Sequence, residues 1–312
     1  MPDAATAALA LALIGPPLPA THATLTYHVE AIDGVDVFYR EAGPRDAPTL
    51  LLLHGFPASS RQFDTLIPLL ADRWHVVAPD YPGFGRSAAP PPAQFSYTFD
   101  HIADIVDGLT TKLGLQRYTL YMNDYGGPVG FRLAVRHPER VTAMIVQNAV
   151  AHEDGLGPLW AARKAFWADR AAHEAKVISA FTSLEVARDR HVGKSPRPER
   201  YDPSTWTDEI AHLSQPGQRE IQADLFYDYR TNVASYPAWQ AWLRAHQPPL
   251  LVVWGKYDPS FETAEATAYL RDVPEAEVHI LNAGHFALDE AVDEIAMLTR
   301  EFLARVDATP KS

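Results

Sequence analysis

Short β-branched or apolar runs recur along the chain at residues 49–53, 74–78, 118–122, 142–147, 250–254 and 277–281, separated by longer stretches with helical spacing. This alternation constrains the fold more than any other feature. Strands that are apolar on both sides belong inside a sheet covered on both faces, and such sheets are mostly parallel. Parallel neighbours need a crossover, normally a right-handed one through a helix. The intervening segments supply the helices. Residues 60–71 place Phe63, Leu66, Leu69 and Leu70 at helical intervals, and residues 98–113 do so with Ile102, Ile105, Val106 and Leu109. A short helix is expected over 129–137, after a glycine pair, and a closing one over 291–306. Residues 24–30 and 35–40 read as two more strands joined by a turn at Asp33-Gly34. The expectation is an α/β fold: a doubly wound, mostly parallel eight-stranded sheet with helices on both faces.

Residues 149–246 break the rhythm. They contain no convincing core strand but hold helical stretches and five of the seven tryptophans. This region is expected to be a helical cap inserted over the strands' C-terminal ends, where open α/β sheets bind ligands. The expected organisation is a flexible extension over 1–23, a core formed by 24–148 and 247–312, and the cap over 149–246. Residues 4–14 are apolar but reach only about half the roughly 20 residues of a membrane span. No Lys or Arg precedes Arg40, so the positive start of a secretion signal is missing and a cytoplasmic location is expected. A formal net charge of -12 argues against nucleic acid or an anionic membrane as partner. The absence of cysteine excludes disulfide scaffolds, thiolate metal sites and cysteine nucleophiles.

Four motifs fall at strand ends. His54-Gly55-Phe56-Pro57 follows the run at 49–53 and could turn N–H groups toward developing negative charge, or form an ordinary tight turn. Asn123-Asp124-Tyr125-Gly126-Gly127 has the small residues of a strand–turn–helix elbow with Asp124 at its tip; Asp124 could equally cap the helix. Asp258, in Trp254-Gly255-Lys256-Tyr257-Asp258, could orient a histidine or sit in a solvated loop. His285, in Gly284-His285-Phe286, is suited to general base work, although the chain has 13 histidines. The joint order of nucleophile, acid and histidine at successive strand ends is the informative feature.

With these motifs the chain resembles the α/β-hydrolase fold superfamily, and within it the aspartate-nucleophile branch of epoxide hydrolases and haloalkane dehalogenases. The likeness runs from about Tyr27 to Arg305 and includes Asp80-Tyr81-Pro82-Gly83-Phe84-Gly85-Arg86-Ser87 and Gly130-Phe131-Arg132-Leu133-Ala134. The resemblance implies that Asp124 attacks a saturated carbon to form an alkyl ester, which water activated by His285 then hydrolyses while Asp258 steadies the imidazolium. Backbone N–H groups of Phe56 and Tyr125 would hold the oxyanion. No metal and no organic cofactor are implied. The partners would be a small apolar electrophile and water, in a monomer or homodimer.

Epoxide hydrolases use cap tyrosines as donors to the leaving oxygen, and Tyr229, before Arg230, is the candidate here. Dehalogenases use indole N–H groups, often from a Trp after the nucleophile, where this chain has Tyr125. Phe56 likewise stands where many dehalogenases carry a polar side chain. Trp160 and Trp167 are pocket-lining candidates, and as indoles they keep a dehalogenase reading open. Fluoroacetate-type dehalogenases bind a carboxylate with arginine shortly after the nucleophile. Residues 125–129 contain none, and Arg132 is expected to face away, which disfavours a small carboxylate substrate. A non-catalytic ligand receptor on the same fold is the alternative from another class.

Overall fold

The computed structural model describes residues 24–308. The proposed extension at 1–23 therefore lies outside the described residues. Eight strands form one sheet: β1 Thr26–Ile32, β2 Val35–Ala42, β3 Thr49–Leu53, β4 His75–Pro79, β5 Tyr118–Asn123, β6 Val141–Gln147, β7 Leu250–Gly255 and β8 Glu277–Leu281. Their order is β1-β2-β4-β3-β5-β6-β7-β8. Strands β3 to β8 are mutually parallel, and β2 pairs antiparallel with both β1 and β4. The parallel part of the sheet starts at β3 and winds outward in both directions, so the central strands end side by side at one edge.

Alternate residues of the same strands feed two separate cores. Leu51, Leu53, Val77, Leu120, Met122 and Val146 face one side; Leu50, Leu52, Val76, Ala78, Tyr121 and Ile145 face the other. The first side packs under α2 (Phe99–Lys112) and α3 (Gly126–Arg136), and the second under α1 (Ile67–Leu70) and α10 (Leu288–Ala308). Each fully buried aliphatic side chain contributes about 1.5–3 kcal/mol, which is why the central strands β3, β4 and β7 carry no polar alternation.

Two helix expectations need correction. Residues 60–71 are not one helix but a 3-10 turn, Ser60–Phe63, followed by the four-residue α1. Pro68 sits in the first turn of α1. A proline is tolerated there but not in the interior of a continuous helix, where it lacks an N–H and clashes with the preceding turn. The helix expected from 129 starts earlier, at Gly126, because its first turn is built from the glycine pair itself. Helix α10 likewise begins at Leu288, with a kink at Ala291.

Between β6 and β7 come α4 (Trp160–Ala168), α5 (Arg170–Phe181), α6 (Leu184–Val192), α7 (Ser204–Leu213) and α8 (Gln218–His246), and no strand. The short α9, Ala264–Ala268, follows β7. This helical insertion caps the C-terminal ends of the central strands. Past β3, the Phe56 ring meets Phe226 of α8 at 4.8 Å. Past β4, the Gly83 carbonyl accepts from His212 and Gln218. Past β5, the Tyr125 ring lies 5.9 Å from Tyr229, and past β7, Trp160 Nε1 donates to the Ser260 carbonyl. No helix among the described residues is long and apolar enough to cross a membrane.

Candidate functional site

The four motifs converge under this cap. Asp124 stands between β5 and α3 with φ of +49°, a left-handed conformation uncommon for a residue with a side chain. Such strain costs on the order of 1–3 kcal/mol and persists only where the surroundings enforce it. Two glycines do so by letting the backbone close in. A Cβ on Gly126 would lie 2.1 Å from the Leu53 carbonyl oxygen, and one on Gly55 would lie 2.5 Å from Asp124 Cβ. Helix α3 is thereby pressed against β3, and the loop after β3 against Asp124.

The Asp124 carboxylate does not cap α3. Its Oδ1 accepts the Phe56 N–H at 2.8 Å, and its Oδ2 lies 3.6 Å from His285 Nε2. Tyr125 is the N-cap residue of α3, so its N–H is among the free donors of the first turn. His285 Nδ1 is 2.8 Å from Asp258 Oδ2. A carboxylate only accepts, so in the neutral ring Nδ1 carries the proton and Nε2 presents its lone pair to Asp124. His285 Nε2 is buried with no hydrogen-bond partner. The Asp124, His285 and Asp258 side chains are 10%, 0% and 1% exposed, which closes this chain of groups from bulk water.

Asp258 is held by four donors. The Ser260 and Phe261 N–H groups reach Oδ1 at 2.6 and 3.1 Å; His285 and Asn148 Nδ2 each reach Oδ2 at 2.8 Å. Sequence reasoning saw in Asn148 only an amide where some relatives of the family place the acid, and gave it no role. It also bridges to β7, donating to the Gly255 carbonyl and accepting the Gly255 N–H, and its own carbonyl accepts the Asp124 N–H. Its φ is +42°, a left-handed conformation that Asn tolerates; the signal in the sequence was an Asn directly after the 142–147 run. Behind the site, burial pushes His54 down to about 4. The ring is thus neutral, donating from Nδ1 to the Gly55 carbonyl and accepting the Tyr81 N–H at Nε2.

The cap candidates also assemble here. The Tyr229 ring lies 4.9 Å from Trp160 and 6.3 Å from Trp167. Its hydroxyl is buried without a well-formed hydrogen bond, with the Tyr236 hydroxyl as its polar neighbour. Burial, reinforced by the nearby Asp124 charge, pushes Tyr229 and Tyr125 well above the ordinary phenol value, so both keep their protons. The Tyr125 hydroxyl is likewise unpartnered. The indoles differ. Trp160 Nε1 donates to the Ser260 carbonyl and Trp167 Nε1 to the Phe226 carbonyl. Both N–H groups are therefore spent on backbone. Among the described residues no group of three or more His, Asp or Glu is arranged to hold a metal ion.

Comparison with known proteins agrees with this architecture. Over 275 residues the chain is 42% identical to an uncharacterized hydrolase of Saccharomyces cerevisiae, YNR064C, covering 86% of this chain and 94% of that one. It is 31% identical to a haloalkane dehalogenase of Mycolicibacterium paratuberculosis, covering 83% of this chain and 84% of the relative. The solved epoxide hydrolase CorEH superposes with a TM-score of 0.74 at 21% identity, over 91% of this chain and all (100%) of that one, a likeness of fold. The family model described as the alpha/beta hydrolase fold matches residues 48–292, and the chain belongs to that family.

Proposed function

We propose that this protein is a hydrolase that works through a covalent alkyl ester on Asp124, with an epoxide as its electrophile. The observation that carries the reading is the continuous line from Asp124 through His285 to Asp258, with Nε2 unpartnered and facing the carboxylate at 3.6 Å. A binding protein has no need of that line at matched strand ends.

In the first step an Asp124 oxygen bonds to an epoxide carbon. The C–O bond of the ring breaks, its electron pair stays on oxygen, and that oxygen takes the Tyr229 proton. In the second step His285 takes a proton from water, and the hydroxide adds to the carbonyl carbon of the Asp124 ester. The Phe56 and Tyr125 N–H groups hold the resulting oxyanion. The intermediate collapses, the alkyl oxygen leaves with the proton from His285, and the carboxyl proton returns to the Tyr229 phenolate. Asp258 stabilises the imidazolium between these transfers. The apolar cap keeps bulk water from solvating the carboxylate.

The epoxide preference rests on the donors. Tyr229 and Tyr125 carry protonated hydroxyls without a well-formed hydrogen bond, whereas the indoles of Trp160 and Trp167 are committed to carbonyls. A haloalkane is the second reading, favoured by the 31% identical dehalogenase relative. Single turnover in heavy-oxygen water tests the chemistry. Label is expected in the Asp124 peptide, Asp124→Asn should lower turnover by at least about 10⁴-fold, and His285→Gln should trap the ester. An unlabelled Asp124 peptide after product formation would remove the covalent route. Bromide released from bromoalkanes without diol from epoxides would exchange the two substrate readings.

A further inference from the structure

Two cap arginines take no part in this scheme: Arg163 on α4 and Arg190 on α6. Their guanidiniums lie on aromatic rings around the site. Arg190 Cζ is 4.8 Å from the centre of the Phe56 ring, beside the N–H that holds Asp124. Arg163 Cζ is 4.1 Å from the Trp160 ring and 5.7 Å from Phe226. Phe181 lies between them, 4.7 Å from Arg163 and 5.9 Å from Arg190. Arg190 is 5% exposed, and its Nη1 is buried with no hydrogen-bond partner. Neither arginine forms a salt bridge among the described residues.

A buried guanidinium with open donors is costly unless an anion meets it, and ring stacking offsets only part of that cost. The anions at hand do not meet either one directly. Glu209 is the strongest favourable charge on Arg190 but forms no ion pair with it; its Oε1 accepts from His191 and its Oε2 is buried without a partner. The Asp124 charge acts on both guanidiniums from beyond ion-pairing distance. No ion pair therefore joins either arginine to the nucleophile. Once Asp124 becomes an ester its charge is gone, and the two cations remain. They are not needed for the leaving oxygen, which the neutral Tyr229 and Tyr125 hydroxyls can serve. An anionic substituent is the remaining role, and it carries its own logic. A substrate anion approaching the Asp124 carboxylate is repelled, and two guanidiniums beside the path cancel that repulsion.

We infer that Arg163 and Arg190 together bind an anionic group on the substrate, so that the substrate is an epoxy carboxylic acid with an apolar body. This rests on the reading of Asp124 as nucleophile and departs from the apolar electrophile expected from sequence. The core contributes no such arginine, as expected: Arg132 is turned to Asp100 at 2.6 Å and Asn232 at 2.7 Å. Recognition instead comes from the cap, in a planar, two-pronged form suited to carboxylate.

The test compares 3-phenylglycidate with β-methylstyrene oxide, which has a methyl in place of the carboxylate. The wild-type enzyme should prefer the acid, and the ratio of kcat/KM for the two should fall about 30-fold in Arg163→Gln and in Arg190→Gln, with partial recovery in Arg190→Lys. Equal loss on both substrates, an unchanged ratio, or a wild-type preference for the neutral epoxide would overturn the inference. If neither epoxide is turned over, the chemistry proposed for Asp124 fails, and calorimetry on the Asp124→Asn protein decides the anion site separately. Binding of 3-phenylpropionate in preference to 3-phenylpropanol, lost in Arg190→Gln, supports it; equal or no binding of the two sinks it.

Discussion

At the scale of single residues, the site depends on groups that never touch a substrate. Asp258 can orient His285 only if its own carboxylate is fixed, and Asn148 supplies one of the two donors on the oxygen that faces the histidine. Asn148→Gly removes the amide while keeping a residue at ease with the φ of +42°. Losing one hydrogen bond to a charged group is worth about 1.5–3 kcal/mol. If that loss falls on the imidazolium-forming steps, kcat should drop roughly 10–100-fold with little change in KM. Steady-state kinetics on a substrate that is turned over checks this. A raised KM at constant kcat would mean that Asn148 shapes binding rather than His285.

At the scale of elements, one buried histidine joins the cap to the core. His191 on α6 directs Nε2 to Glu209 of α7 at 3.0 Å and Nδ1 to Asp289 of α10 at 2.7 Å. Both partners are carboxylates, so the ring carries both protons. Burial alone would lower His191, but Glu209 and Asp289 outweigh it and hold it up at about 10. In an unfolded chain histidine titrates near 6.5. The folded state is therefore favoured fully below about pH 6.5, and this contribution is lost as pH rises through about 10. The melting temperature should fall more steeply between pH 6.5 and 10 in the wild type than in His191→Gln. Equal slopes would show that the three elements do not depend on this charge. The cap also marks the limit of what sequence could reveal. The central strands were legible because burial on both faces leaves an unbroken apolar run, and Asp124, Asp258 and His285 stood out as candidates because each lies within four residues of the end of such a run. The 60–71 segment misled because apolar spacing ignores the proline at 68. Arg163 and Arg190 were illegible for another reason. Their neighbours Phe56, Phe181 and Phe226 lie on other elements, and only the packing of α4, α5, α6 and α8 over β3 brings them together.

At the scale of the whole molecule, the closure of the site raises the question of entry. The His285 side chain is fully buried, and the cap is fastened to the core along several loops. Arg61, after β3, pairs with Asp208 on α7; Tyr201 and Arg197, ahead of α7, reach Glu290 on α10. The Arg61–Asp208 pair is exposed at the rim, whereas Glu290 is buried. The contacts nearer the site are aromatic and belong to the same core as the sheet. If entry to Asp124 requires the cap edge at the exposed Arg61–Asp208 pair to move, that motion is of the kind that often limits turnover. Because the chain has no cysteine, this edge can be locked without interference. In the double variant Arg61→Cys and Asp208→Cys, a short bismaleimide should join α7 to the core and reduce kcat/KM by at least about tenfold relative to the uncrosslinked variant, if opening is required for entry. A matched single-cysteine protein treated with the same reagent controls for modification alone. Full activity in the crosslinked double variant would mean that this edge stays shut during turnover and that entry lies elsewhere along the cap.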